Sequence, residues 1–94
     1  MNTKSNTVRL VLFVAGATSR TAQAIENIRA ILPSFQEGAF ALEIIDVFEE
    51  PDLALADRVF VTPTLLAPVS RRLVGDLGEK SQLKHFLRTL GYQP

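Results

Sequence analysis

The octapeptide Val59-Phe60-Val61-Thr62-Pro63-Thr64-Leu65-Leu66 has the apolar and β-branched content of a buried strand, yet a proline stands in its middle. Proline has no N–H to give a sheet ladder and is excluded from the interior of a central strand. The stretch therefore divides. A loop runs into Pro63, and a strand leaves it, beginning near Thr64.

Upstream, VRLVLFVA (8–15) is apolar on both alternating faces from Leu10 onward, the mark of a strand covered on both sides inside an α/β sheet. Gly16 ends it, and Thr18, Ser19 or Thr21 can cap a following helix. In that helix Ala22, Ile25, Ile28 and Leu32 recur at steps of three and four, one apolar stripe. Pro33 disfavours helical geometry at Leu32, so the helix ends close by. After a turn at 36–38, FALEIIDV (40–47) predicts a second strand. A strand, a helix and a strand so closely spaced predict parallel pairing with a right-handed crossover. Pro51 suits the first residue of a short helix, 51–57, with acid in its first turn.

Downstream, a loop at 68–71 joins the strand from Thr64 to RRLVGD (71–76), close enough to pair with it as a hairpin. Leu83, Phe86, Leu87 and Leu90 then repeat at i, i+3, i+4 and i+7, a last amphipathic helix ended by Gly91. The order is βαβαββα, with no internal repeat.

That order is the thioredoxin-like arrangement of the α/β class. The fold carries a cis proline, in the context Thr-Pro, at the start of its first hairpin strand. A cis X–Pro bond survives where tertiary structure selects it, so Pro63 is expected to be cis; a trans proline at an edge-strand bulge is the alternative. Thioredoxin-like enzymes place their reactive cysteines at the N-terminus of helix one, where the thiol pKa is lowered. Here that position reads Ala17-Thr18-Ser19-Arg20, and the chain has no cysteine at all. Thiol catalysis, disulfides and thiolate metal sites are excluded. The scaffold must serve another purpose.

The 94 residues fit one domain, 1–94, with 1–7 expected to be flexible. Hydrophobic residues make up 47% and charged residues 21%, an ordinary globular composition. Ten basic residues balance ten acidic ones, so the basic excess needed for sequence-independent binding of nucleic acid or anionic membrane is missing. No run approaches the roughly 20 apolar residues of a membrane span. The polar MNTKSNT leads into too short an apolar run for a signal-peptide core. A cytoplasmic protein is expected, without cofactor, nucleic acid or membrane as partner.

No enzyme motif is present. Thr18 and Ser19 have no base or acid at motif spacing and no nucleophile elbow, and there is no glycine-rich phosphate loop. The acidic stretch 46–52, with Glu49 and Glu50, lacks the ordered ligand spacing of a calcium loop and reads as a solvated loop. Asp46 and Asp76, at the ends of strands two and four, read as turn residues holding nearby backbone N–H groups. His85 lies opposite the apolar stripe of the last helix and faces solvent. Arg71, Arg72, Arg58 and Arg20 are surface charge or a small basic patch. Gly16, Pro63 and Gly75 are read as structural.

The landmarks Val14-Ala15-Gly16, Ile45-Asp46-Val47, Pro51, Leu53-Ala54, Thr62-Pro63-Thr64-Leu65 and Gly75-Asp76-Leu77, in this order and spacing, resemble the KaiB family of small circadian-clock proteins. The sensor domain of the histidine kinase SasA is similar but usually matches less well at Val74-Gly75-Asp76-Leu77. The resemblance implies a protein without catalytic activity that binds a KaiC-type ATPase, with KaiA-type and histidine-kinase-type proteins as further partners. It also implies fold switching, in which a tetrameric ground state rearranges the C-terminal half and a thioredoxin-like monomer binds KaiC. Monomer, dimer and tetramer are all open on this reading. In the bound form the second helix and the end of strand two lie towards KaiC, which makes Glu43, Asp46, Asp52, Arg58 and Arg72 the partner-binding candidates.

Some features depart from the clock pattern. Gln23 and Glu43 occupy positions where clock KaiB tends to carry basic residues, whereas Arg58 and Arg72 keep the charge. The loop after Leu66 is shorter, and the acidic tail is missing. The segment GEKSQLKHFLRTLG (78–91) spaces its apolar residues as a helix, with Thr89 its lone β-branched residue. Alternating burial would split the apolar set, so the rearranged ground-state fold is the alternative and the thioredoxin-like state is expected to dominate. A signalling or stress-response module without a clock role is the rival function.

Overall fold

β1 (Val8–Val14) and β2 (Phe40–Asp46) run parallel, from Val8 opposite Phe40 to Val14 opposite Asp46. They are joined by α1 (Ser19–Ile31), which continues as a 3₁₀ turn at Leu32–Ser34. α2 (Pro51–Ala56) follows, then the antiparallel hairpin of β3 (Thr64–Ala67) and β4 (Arg71–Val74), and last α3 (Lys80–Arg88). The structure, a computed structural model, describes residues 7–68, 71–74 and 77–90. The sheet order is β2-β1-β3-β4, so β1 is central, with β3 antiparallel on its other side. This is the thioredoxin-like order expected, and the Thr62–Pro63 bond is cis.

The central position of β1 explains its unbroken apolar run. Leu10, Leu12 and Val14 point to one side of the sheet, where they join Ala24 and Ile28 of α1 and Leu83 and Leu87 of α3 in the main core. Phe13 points to the other side, into a smaller cluster with Ala54 of the short α2 and Val59 of the connection after it. Leu10, Leu12, Phe13 and Leu65 are fully buried, and each such side chain contributes roughly 1.5–3 kcal/mol by leaving water.

The helix stripe of α1 differs from the expected one. Ala24, Asn27, Ile28 and Ile31 are buried, Ile25 and Leu32 are half-buried, and Ala22 is exposed. The face is turned by about one residue because Asn27 faces inward, its side-chain amide donating to the Leu77 carbonyl at 3.2 Å. A polar residue was therefore part of the apolar stripe, which apolar spacing alone does not register. Thr18 is the N-cap of α1, its Oγ1 accepting from the Thr21 N–H at 3.1 Å.

Element ends differ by a residue or two from the expected ranges. β1 stops at Val14 and β2 at Asp46, while α2 stops at Ala56 with Asp57 as its cap. β4 ends at Val74; Gly75, Asp76 and Gly91 lie outside the described residues, as do residues 1–6 of the segment 1–7. Thr7 itself is tied down, its hydroxyl donating to the Gly38 carbonyl at 2.7 Å. α3 buries Leu83 and Leu87, half-buries Phe86 and exposes His85, as its spacing predicts, but it ends at Arg88, so the half-buried Leu90 lies in the turn beyond its Thr89 cap.

Candidate functional site

The two sides of the sheet are unequally covered. The main core is roofed by α1 and α3, whereas the opposite side has the six-residue α2. Side chains alternate along a strand, so Glu43 of β2 shares its side with Ile45, and Arg72 of β4 lies opposite Leu66; Ile45 and Leu66 both pack with Phe13 under α2. Glu43, Arg72, Asp52 of α2 and Arg58 just after the α2 cap thus belong to one layer.

Within that layer the expected residues do different things. Glu43 is exposed on β2, which is an edge of the described sheet, and pairs with Arg9 across the strand boundary. Asp46 is engaged locally: its carboxylate accepts from the Phe48 N–H at 2.9 Å and the Gly16 N–H at 3.3 Å. Its own carbonyl accepts from the N–H groups of Glu49 and Glu50 at 3.0 and 2.9 Å. Asp46 thereby fastens the β2–α2 turn to the end of β1, the turn-residue reading of the sequence. Gly16 is required there by its backbone, with φ +71°. Asp52 is exposed in the first turn of α2, where acid complements the helix dipole.

Arg58 and Arg72 are brought together, but through the main chain. Arg58 follows the α2 cap at φ +56°, a left-handed conformation in which glycine is usual. The Val59 N–H bonds to the Ala54 carbonyl at 2.8 Å and the Arg58 N–H to that of Leu55 at 3.0 Å, the paired bonds of a Schellman motif. The Arg72 guanidinium then donates to the carbonyls of Asp57 at 2.7 Å and Arg58 at 3.0 Å, where α2 leaves acceptors free. A shallow cavity lined by Asp57, Arg58, Leu66 and Arg72 lies beside them.

The residues that sequence reasoning missed are apolar. Phe48 and Phe60 are 75% and 79% exposed, and Leu53, Leu55, Val61 and Val74 are exposed as well. Among the described residues these are the large exposed apolar side chains, and all lie on α2, its two flanking connections or the α2 side of β4. Among the described residues the roofed side has none. Pro63 carried the available signal: it places Phe60 and Val61 in the loop before the strand that begins at Thr64, and apolar residues in such a loop are candidates for exposure.

The position that holds the thiols of thioredoxin-like enzymes contains the cap Thr18 and the exposed Ala17 and Ser19. Among the described residues no group of His, Asp and Glu could hold a metal ion, and no helix is long and apolar enough to cross a membrane. The fold and this surface define a thioredoxin-like α/β protein whose distinctive feature is an exposed apolar layer. Solved structures agree on the fold: the germline-specific thioredoxin Deadhead from Drosophila melanogaster aligns at TM-score 0.72 and 16% identity over 93% of this chain and 84% of its own.

The KaiB domain model matches residues 11–89, and the chain belongs to the KaiB family. It is 38% identical over 86 residues to the circadian clock oscillator protein KaiB of Gloeothece citriformis, covering 88% of this chain and 81% of that one. Identity to KaiB of Prochlorococcus marinus is 42% over 77 residues, covering 79% of this chain and 65% of the relative. The N-terminal domain of Synechococcus elongatus SasA aligns at TM-score 0.70 and 27% identity over 89% of this chain and 86% of its own.

Proposed function

We propose that this chain is a non-catalytic adaptor that docks on a KaiC-type ATPase and takes part in rhythmic or related regulation. It acts as one cytoplasmic domain, from the thioredoxin-like state. The observation that carries the reading is the one-sided distribution of exposed apolar residues over the α2 layer. A catalytic site would converge polar groups in a cleft; this layer instead offers a surface suited to another protein. Its membership of the KaiB family, whose relatives are circadian clock oscillator proteins, supports a clock-protein partner. The mechanism is state-selective docking: by binding one nucleotide state of the ATPase better, the adaptor shifts the ATPase towards that state.

The test is co-elution with the KaiC-type ATPase of the same genome, in ATP and then in ADP. Complex formation in one nucleotide state and not the other supports the adaptor reading. A second reading, a signalling module acting with a histidine kinase, is favoured by the likeness to the SasA domain. Co-elution with a histidine kinase and not with the ATPase would replace the first reading by the second.

A further inference from the structure

We infer that Phe48, Phe60 and Val61 anchor the docked partner and that the partner presents an apolar socket bordered by lysine or arginine. The inference rests on the adaptor reading and names the chemistry of the surface that the ATPase must offer.

Phe48 follows β2 and Phe60–Val61 precede Pro63, so both connections of α2 end in exposed apolar side chains. The Phe48 ring lies beside Gly16, 3.5 Å from where a Cβ on that glycine would sit, so it covers the β1 exit instead of entering the core. The inward half of the same layer is already satisfied by Ala54, Val59 and Phe13. These rings have no inward role left to play. Exposed aromatic residues gathered on one surface are the usual anchors of protein–protein contacts, where a few such side chains carry most of the binding energy.

The chain is neutral overall, yet from Phe48 to Asp57 it carries Glu49, Glu50, Asp52 and Asp57 and no lysine or arginine. All four are exposed, and none has an ion pair among the described residues. Of the two arginines beside this stretch, Arg72 turns its guanidinium to the Asp57 and Arg58 carbonyls, and the exposed Arg58 stands at its far end, directly after Asp57. Pressing an apolar patch against a partner draws these carboxylates out of water, at a cost that opposite charge on the partner must offset. The acidic side of the patch, Glu49 to Asp57, therefore selects lysine or arginine opposite it, whereas Arg58 at its end is suited to an acidic group of the same partner.

The experiment measures affinity for the KaiC-type ATPase, in the nucleotide state that binds, for wild type, Phe48→Ala/Phe60→Ala and Glu49→Lys/Glu50→Lys, across a salt series. Arg29→Glu, on the exposed face of α1, is the control. The aromatic pair is expected to weaken binding by about tenfold or more at every salt concentration, as loss of anchors does. The charge reversal is expected to weaken it most at low salt and to flatten the salt dependence, since rim charge is screened. All the altered side chains are exposed, so far-ultraviolet circular dichroism should be unchanged; Leu55→Ser supplies a second apolar test should Phe48→Ala perturb the turn. Affinity within about twofold of wild type for the apolar variants would overturn the anchors while leaving the adaptor reading intact. Unchanged or tighter binding by the charge reversal would overturn the basic rim. A wild-type chain that binds the ATPase in neither nucleotide state would overturn the adaptor reading and this partner with it.

Discussion

The Arg72 guanidinium donates to the Arg58 carbonyl at 3.0 Å, so two arginines that look interchangeable as surface charge are donor and acceptor in one contact. Arg72 contributes its side chain to the fold, whereas Arg58 contributes its backbone carbonyl, and its exposed side chain is the proposed partner contact. The two substitutions should therefore separate. Arg72→Ala should destabilise the chain by about 1 kcal/mol, because the Asp57 and Arg58 carbonyls lose a charged donor at a partly solvated site. Arg58→Glu should leave the urea midpoint in place and weaken binding of the KaiC-type ATPase. Equal stability losses from both variants would show that the Arg58 side chain also holds the fold.

The conformation of Arg58 gives a prediction of opposite sign. A residue with a Cβ pays roughly 1–2 kcal/mol to sit in the left-handed region, and glycine pays almost nothing. At φ +56°, Arg58→Gly should raise stability, by about 0.5–1 kcal/mol once the greater freedom of glycine in the unfolded chain is deducted. Chemical denaturation would read this as a higher midpoint at constant slope. If partner binding falls as stability rises, the guanidinium is retained at this strained position for contact rather than for folding.

Asp46 ties the β2–α2 turn to the β1 exit through the N–H groups of Phe48 and Gly16. Asp46→Ala removes the Oδ1 that accepts both bonds and should destabilise by about 1–2 kcal/mol. Asp46→Asn keeps a carbonyl oxygen and should cost less. Thermal melts of the two variants rank them, and equal costs would mean that the negative charge, and not the acceptor geometry, fixes the turn.

Glu43 tests how much an exposed pair is worth. Its carboxylate meets Arg9, with the two side chains 44% and 71% exposed. Solvent screening and side-chain entropy hold such pairs to roughly 0–1 kcal/mol. Glu43→Ala should therefore change the unfolding midpoint little, and any loss of partner affinity it causes can be assigned to the interface. A large drop in stability would instead place Glu43 among the residues that hold β1 to β2.

The fold was legible because its signals are local and agree with one another. The two-sided apolar run of β1, the i, i+3, i+4, i+7 spacing of α3 and the break at Pro63 each admit few alternatives, and together they fix the order of elements. The α1 stripe was misplaced by a residue because Asn27 is buried by a contact with Leu77, fifty positions away, which no periodicity contains. The candidate surface was legible in its charges and hidden in its anchors. Phe48 and Phe60 have the composition of core residues, and only the three-dimensional path around α2 puts them in water. Arg72 was legible as a cation but not as a cap, since the helix end it serves lies on another element.

The contact between Asn27 and Leu77 carries the last prediction. Asn27 is 8% exposed on α1, and its amide reaches over the end of α3's connection to the Leu77 carbonyl at 3.2 Å. Leu77 is itself buried in the main core beside Leu83 and Leu87, so its carbonyl has little access to water. Asn27→Leu keeps volume and adds apolar surface, which by itself would favour folding. It also leaves that carbonyl without its donor, and an unsatisfied buried acceptor costs about 1–3 kcal/mol. The second effect outweighs the first where the side chain cannot repack, so Asn27→Leu should destabilise the chain. Asn27→Ala, which adds a cavity to the unmet carbonyl, should destabilise it further. Hydrogen exchange localises the effect: faster exchange in α3 than in β1 for Asn27→Leu would show that this bond holds the last helix to the first. Uniform acceleration would instead mean that Asn27 supports the core as a whole.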